Sequence, residues 1–183
     1  MSHIHYTPMD ASHIRDVLVL QEANLACNLS ESEQEHGFVT TPFSEEQLQK
    51  MIKQEHVFIA LDEEKVIGYI ICASWQYLSR YPIFEYMVGL FDDIEWKGRD
   101  ITTSNSYQYG PVCLHKDYRG RGIIIEFFQY ARKEMTPHYS YALTFINMRN
   151  KRSAQAHMNK LHLDYIQEFR FKGQRYHMLG FVI

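Results

Sequence analysis

The segment YALTFINM, residues 141–148, carries apolar side chains at both odd and even positions. A strand shows successive side chains to opposite faces. One that is apolar on both faces must be covered on both, which places this strand inside a sheet with helices above and below. The flanking sequence supplies those helices. IIIEFFQYARKEM, residues 123–135, sets Ile124, Phe127, Phe128, Ala131 and Met135 along one helical face. The stretch from Asn150 to His162 predicts a second helix. With YQYGPVCLH, residues 107–115, as a strand ahead of them, these segments read as a β-α-β unit.

Antiparallel elements surround that unit. HIHYTPM, residues 3–9, reads as a first strand, and Asp10 suits the cap of a helix whose apolar face runs Ile14, Val17, Leu18, Gln21, Leu25. Ser44 with Gln47 forms a capping box ahead of EQLQKMI, a second short helix. HVFIAL (56–61) and VIGYIICA (66–73) are strands joined by a charged turn, a hairpin. Residues 76–103 are irregular and aromatic-rich, with a helix around Ile83 to Leu90. DYIQEFRF and RYHMLGFVI close the chain as a hairpin around KGQ. The expected architecture is a mixed α/β sheet of about seven strands flanked by about four helices, one domain over residues 1–183.

A formal net charge of −3 argues against a surface built as a whole for nucleic acid, and leaves room for a local basic pocket. No stretch has the length and apolarity of a membrane span. Three cysteines, Cys27, Cys72 and Cys113, sit in apolar patterns without metal-ligand spacing and read as buried, reduced thiols. With no signal-like N-terminus, they imply a cytoplasmic protein. Neither His3 nor His5 finds a third ligand, so no metal is expected.

Between the strand at 107–115 and the helix at 123–135 lies Arg119-Gly120-Arg121-Gly122. A helix N-terminus offers free N–H groups and a partial positive charge, a natural site for phosphate. Glycine admits positive φ and close approach of an anion, and arginine adds forked donors. A tight exposed turn with two incidental arginines would carry the same residues. The lysine-bearing phosphate loop and the G-x-G-x-x-G fingerprint are both absent here.

This turn resembles the Q/R-x-x-G-x-G/A signature of the GNAT superfamily of acyl-CoA-dependent N-acyltransferases, reading Arg119-Gly120-Arg121-Gly122-Ile123-Ile124 with Ile124 in the last position. NKRSAQAHMNKLHLDYIQEF resembles that family's N-x-R-S-x-x-A-H segment through Asn150, Arg152, Ser153, Ala156 and His157, with His162-Leu163 in place of Gly-Phe. The order of elements also agrees. The resemblance implies acetyl-CoA as cosubstrate, its pyrophosphate on Arg119, Gly120, Arg121, Gly122, Ile123 and Ile124, with Asn150 and Ser153 nearby. It implies that the strand before the turn splays from its neighbour and pairs with pantetheine at Cys113 and Leu114.

The family transfers the acyl group directly, so Cys113 need not be a nucleophile. His157 falls where members often carry a tyrosine that protonates the departing sulfur; an imidazole can also do this near neutral pH. The base stays open among Tyr109, Tyr107 and Glu95. Lys151 and Arg152 read as a solvated helix start or as contacts to the 3′-phosphate. Asp92, Asp93 and Glu95 are candidates for attracting a cationic amine, and GFVTTPF (37–43) for closing over the acceptor. The acceptor is a small-molecule or peptide amine, with no nucleic-acid or membrane partner; a homodimer is compatible with the family. A non-catalytic CoA-binding sensor on the same fold is the rival expectation.

Overall fold

Strand pairing starts from the shortest connection. β2 (His56–Asp62) and β3 (Lys65–Ala73) pair from Asp62 opposite Lys65, with Glu63 at φ 55 in the turn. β1 (Ile4–Pro8) adds antiparallel to β2, and β4 (Ser106–Leu114) antiparallel to β3. β5 (Tyr141–Asn147) runs parallel to β4, and β6 (Asp164–Phe171) and β7 (Gln174–Val182) complete a seven-stranded sheet in the order β1-β2-β3-β4-β5-β7-β6. The architecture is the expected mixed sheet with helices on both faces. This computed structural model describes residues 4–183, so His3 lies outside the described residues.

The helices divide between the faces. α1 (Ile14–Glu22) and α3 (Glu45–Gln54) bury Val17, Leu48 and Met51 on one side. Both the Asp10 cap and the Ser44–Gln47 capping box form, the latter from Gln47 N to Ser44 Oγ and Ser44 N to Gln47 Oε1. α6 (Ile123–Met135) buries Phe127, Phe128, Ala131 and Met135 on the other side. β5 serves both cores: Leu143 and Phe145 pack into the first, Ala142 and Ile146 into the second.

Three expectations change. The described residues form seven α-helical segments rather than about four, because short turns break the irregular regions. The additions include α2 (Glu31–Gln34) and α4 (Trp75–Leu78), while α5 (Pro82–Val88) is the helix expected around Ile83 to Leu90. The helix expected from Asn150 to His162 is α7 (Lys151–Gln155), which then widens so that Leu161 N reaches Ala156 O. That wider turn returns Leu161 and Leu163 to the core. Cys72 and Cys113 are buried thiols as expected, but Cys27 is exposed, because it lies in a short turn after α1 has ended.

Gly68 on β3 sits opposite Leu114. A Cβ there would lie 3.0 Å from the Cys113 carbonyl oxygen and 3.1 Å from Leu114 Cδ1. A backbone atom cannot rotate aside, so Gly68→Val should lower the unfolding free energy by about 1–3 kcal/mol in urea titration, the usual cost of overpacking.

Candidate functional site

β4 and β5 pair only through Ser106–Tyr141, Tyr107–Ala142 and Gln108–Leu143. Beyond these three pairs they diverge. Gly110, at φ 107, and Pro111 follow at once, and the register against β3 shifts between Ile70 and Cys72. Proline has no N–H for a ladder and glycine weakens one, so the break falls where the sequence is least able to continue pairing.

The divergence exposes one edge of β4. His115 N bonds Ile67 O at 2.7 Å, so that residue faces β3. Backbone groups alternate along a strand, so Cys113 also faces β3, while Val112 and Leu114 face the gap. The free edge is therefore Val112 and the Leu114 N–H, because Leu114 O accepts from Arg119 Nε; the expectation for Cys113 is corrected. Burial pushes the Cys113 thiol up to about 12, which keeps it protonated.

Below this edge the chain turns into α6. Gly120 and Gly122 have φ of 79 and 84, and Gly122 caps the helix. No atom lies within 4 Å of where a Cβ would stand on either, so both border open space. Gly120 and Ile124 line the cleft there.

The arginines do something else. Arg119 gives Nε to Leu114 O at 2.9 Å, one terminal nitrogen to His36 O at 2.7 Å and the other to Asn24 Oδ1 at 2.5 Å. Its donors are largely committed within the protein, so it braces the cleft wall rather than presenting a free fork. Arg121 is exposed and lies over the Tyr118 ring at 5.4 Å, and Ile123 is buried in the core. Neither lines the cleft.

The other wall is α7 and the loop at residues 37–41. Asn150 caps α7 by accepting from Ser153 N, and its Nδ2 donates to Phe38 O at 2.9 Å. The cleft has two lobes that share Phe38, Val39, Val112, Asn150, Ser153 and His157. One lobe opens to the glycine turn and is rimmed by His36, Arg152 and Lys160. The other lies between the separated strands, among Phe84, Gln108, Thr144 and Phe145.

His157 stands where the lobes meet. Its Nδ1 lies 2.7 Å from Ser153 O, and a carbonyl only accepts, so Nδ1 carries the hydrogen. Burial lowers its pKa, partly offset by the Ser153 carbonyl, so the ring is neutral at pH 7. In that state Nε2 bears a lone pair. The resting imidazole is a proton acceptor at Nε2, and it must gain a proton before it can give one to a departing sulfur.

The remaining candidates do not reach the cleft. Tyr109 is fully buried between Phe128, Phe181 and His157, and burial drives its pKa far up. Tyr107 is equally buried. Both point to the face covered by α6, away from the gap. Asp92, Asp93 and Glu95 are exposed and line neither lobe. Among the described residues, no three His, Cys, Asp or Glu gather as a metal site, and no helix is long and apolar enough to cross a membrane.

Sequence reasoning missed Gln108, Asn24 and His36. A glutamine between two buried tyrosines in an apolar strand was the available signal for the first. The other two reach the site from 95 and 83 residues away along the chain and left none.

No family model matches the chain. A search of curated proteins likewise finds no match. Solved structures do. A Streptococcus mutans UA159 protein superposes with a TM-score of 0.66 at 18% identity, over 97% of this chain and 98% of that one. An acetyltransferase of the GNAT family from Streptococcus pneumoniae gives 0.63 at 9% identity, over 99% and 100%. The yncA protein of Salmonella typhimurium, solved with its cofactor acetyl-CoA, gives 0.65 at 10% identity, over 98% and 93%. At these identities the likeness concerns the backbone: the chain has the GNAT fold.

The two arginines of the turn should separate in a stability assay. Arg119→Ala leaves Leu114 O, His36 O and Asn24 Oδ1 without their donor and should cost about 1–3 kcal/mol in urea unfolding. Arg121→Ala, at the surface, should change it by less than about 0.5 kcal/mol.

Proposed function

We propose that this chain is an acyltransferase that moves an acetyl group from acetyl-CoA directly to an amine. One observation carries the reading: a strand edge left unpaired at Val112 and at the Leu114 N–H stands beside a glycine turn that opens a helix. The edge offers backbone groups to an amide-bearing chain, and the turn offers helix N–H groups to phosphate. Gly120 and Gly122 leave the approach open, and Arg152 and Lys160 supply positive charge along the rim. When bound, acetyl-CoA supplies an acyl group activated as a thioester.

The protein's own part is to align the amine and manage one proton. Nε2 of His157 accepts the proton that the amine releases as its nitrogen bonds to the acyl carbon. The same nitrogen then holds a proton for the sulfur that departs as the C–S bond breaks. Ser153 O fixes the ring by holding Nδ1–H. The buried, protonated Cys113 takes no covalent part.

A specific observation also favours a non-catalytic CoA-binding reading: neither lobe is lined by a carboxylate or a tyrosine. The two readings diverge in one assay. Acetyl-CoA and CoA should both raise the thermal midpoint, by the equivalent of about 2.7 kcal/mol at about 100 times Kd, and ATP should do less. An acyltransferase then releases CoA when amines are added, and a sensor does not. No stabilisation by either CoA species would remove both readings.

The role of His157 has its own signature. Its base form is lost as pH falls through its depressed pKa, so kcat/KM should drop on the acid side, below the ordinary histidine value of 6.5. His157→Phe should lower kcat by about 10²–10⁴-fold and abolish that limb, with acetyl-CoA affinity little changed. Equal rates in both proteins from pH 5 to 9 would exclude the imidazole from proton transfer.

A further inference from the structure

Gln108 sits at the last β4–β5 pair, where the sheet opens. It is only 2% exposed and lines the lobe between the strands. Its Nε2 donates to the Tyr109 carbonyl at 3.1 Å, which assigns the amide, because a carbonyl takes only a donor. Oε1 is then left buried without a partner. A buried acceptor left unmade is costly, and such an atom beside a cavity calls for a donor from whatever fills it. The rest of this lobe is apolar or neutral. Phe84, Phe145, Val39 and Ile146 form apolar walls, threonine, serine and asparagine side chains supply uncharged polar groups over at least as much of the lining, and no carboxylate is present.

We propose that Gln108 Oε1 is the hydrogen-bond acceptor for the N–H of the amine, and that the lobe selects a monoamine with an uncharged body over a polycationic amine. This rests on the acyltransferase reading above. A polycationic acceptor would bring charges that nothing in the lobe can pair, and burying an unpaired charge is strongly disfavoured. The aromatic walls of Phe84 and Phe145, in edge contact at 5.5 Å, suit a flat apolar group. Discrimination therefore comes both from the contact at Gln108 and from the missing carboxylates.

The test uses the full chain. Calorimetry with CoA comes first, because failure to bind it overturns the acyltransferase reading and this inference with it. CoA release is then measured with 2-phenylethylamine and with spermidine. The expected kcat/KM is higher for 2-phenylethylamine by at least about tenfold, and Gln108→Leu should raise its KM about tenfold, the worth of one hydrogen bond, without changing the KM for acetyl-CoA. Gln108→Glu should shift the preference toward spermidine. Equal or better use of spermidine by the wild type overturns the inference while leaving the acyltransferase standing, as does an unchanged amine KM in folded Gln108→Leu. Should that variant not fold, the wild-type preference decides alone. If CoA binds and no amine is acetylated, calorimetry of 2-phenylethylamine on the CoA-loaded protein decides: no binding overturns the inference, and binding weakened about tenfold by Gln108→Leu upholds the Gln108 contact.

Discussion

The site depends on the place where two parallel strands stop pairing. β4 and β5 share three residue pairs and then separate, because β4 stays with β3 through a bulge at Gly110-Pro111 while β5 follows β7. An unpaired backbone edge is a template for another chain unless something covers it. Here the loop at residues 37–41 and α7 stand across the gap, so the edge lines a cleft rather than an open sheet margin. The same divergence lets Phe84 and Phe145 from one face and His157 from the other meet in a continuous space.

Charge is distributed unevenly along that space. The end beside the glycine turn has a helix N-terminus and basic side chains; the end between the strands has only neutral groups. An anionic molecule with an uncharged partner fits this gradient. The electrostatics also explain why Arg119 turns inward. Its half-buried guanidinium would be costly unpaired, and three oxygens satisfy it while tying the end of α1, the loop at His36 and the end of β4 together. A residue read as a phosphate ligand therefore braces the wall beside the glycine turn from behind.

His157 shows how burial sets chemical role. On sequence it stands for a proton donor. Burial disfavours its charged form and Ser153 O claims Nδ1–H, so the ring rests as an acceptor. Burial keeps His157 neutral, and Tyr109 and Tyr107 lie outside the cleft because they face the packed side of β4. Gln108, between them in sequence, faces the other way and reaches the cleft. Strand alternation alone separates these three neighbours.

The sequence by itself determined what depends on near neighbours. Apolar spacing specified the strands and the long helices. Asp10 and Ser44 with Gln47 specified helix starts, and the two glycines specified a turn into α6. These are local effects of side-chain period, cap geometry and allowed φ. Only the tertiary structure decided the use of those parts. It set the inward turn of Arg119, the tautomer of His157, the exposure of Cys27, the early end of α7 and the unpartnered Oε1 of Gln108. The inward turn of Arg119 depends most directly on what a side chain meets across the fold. Asn24 and Arg119 are 95 residues apart and become partners only when α1 and the end of β4 are brought together.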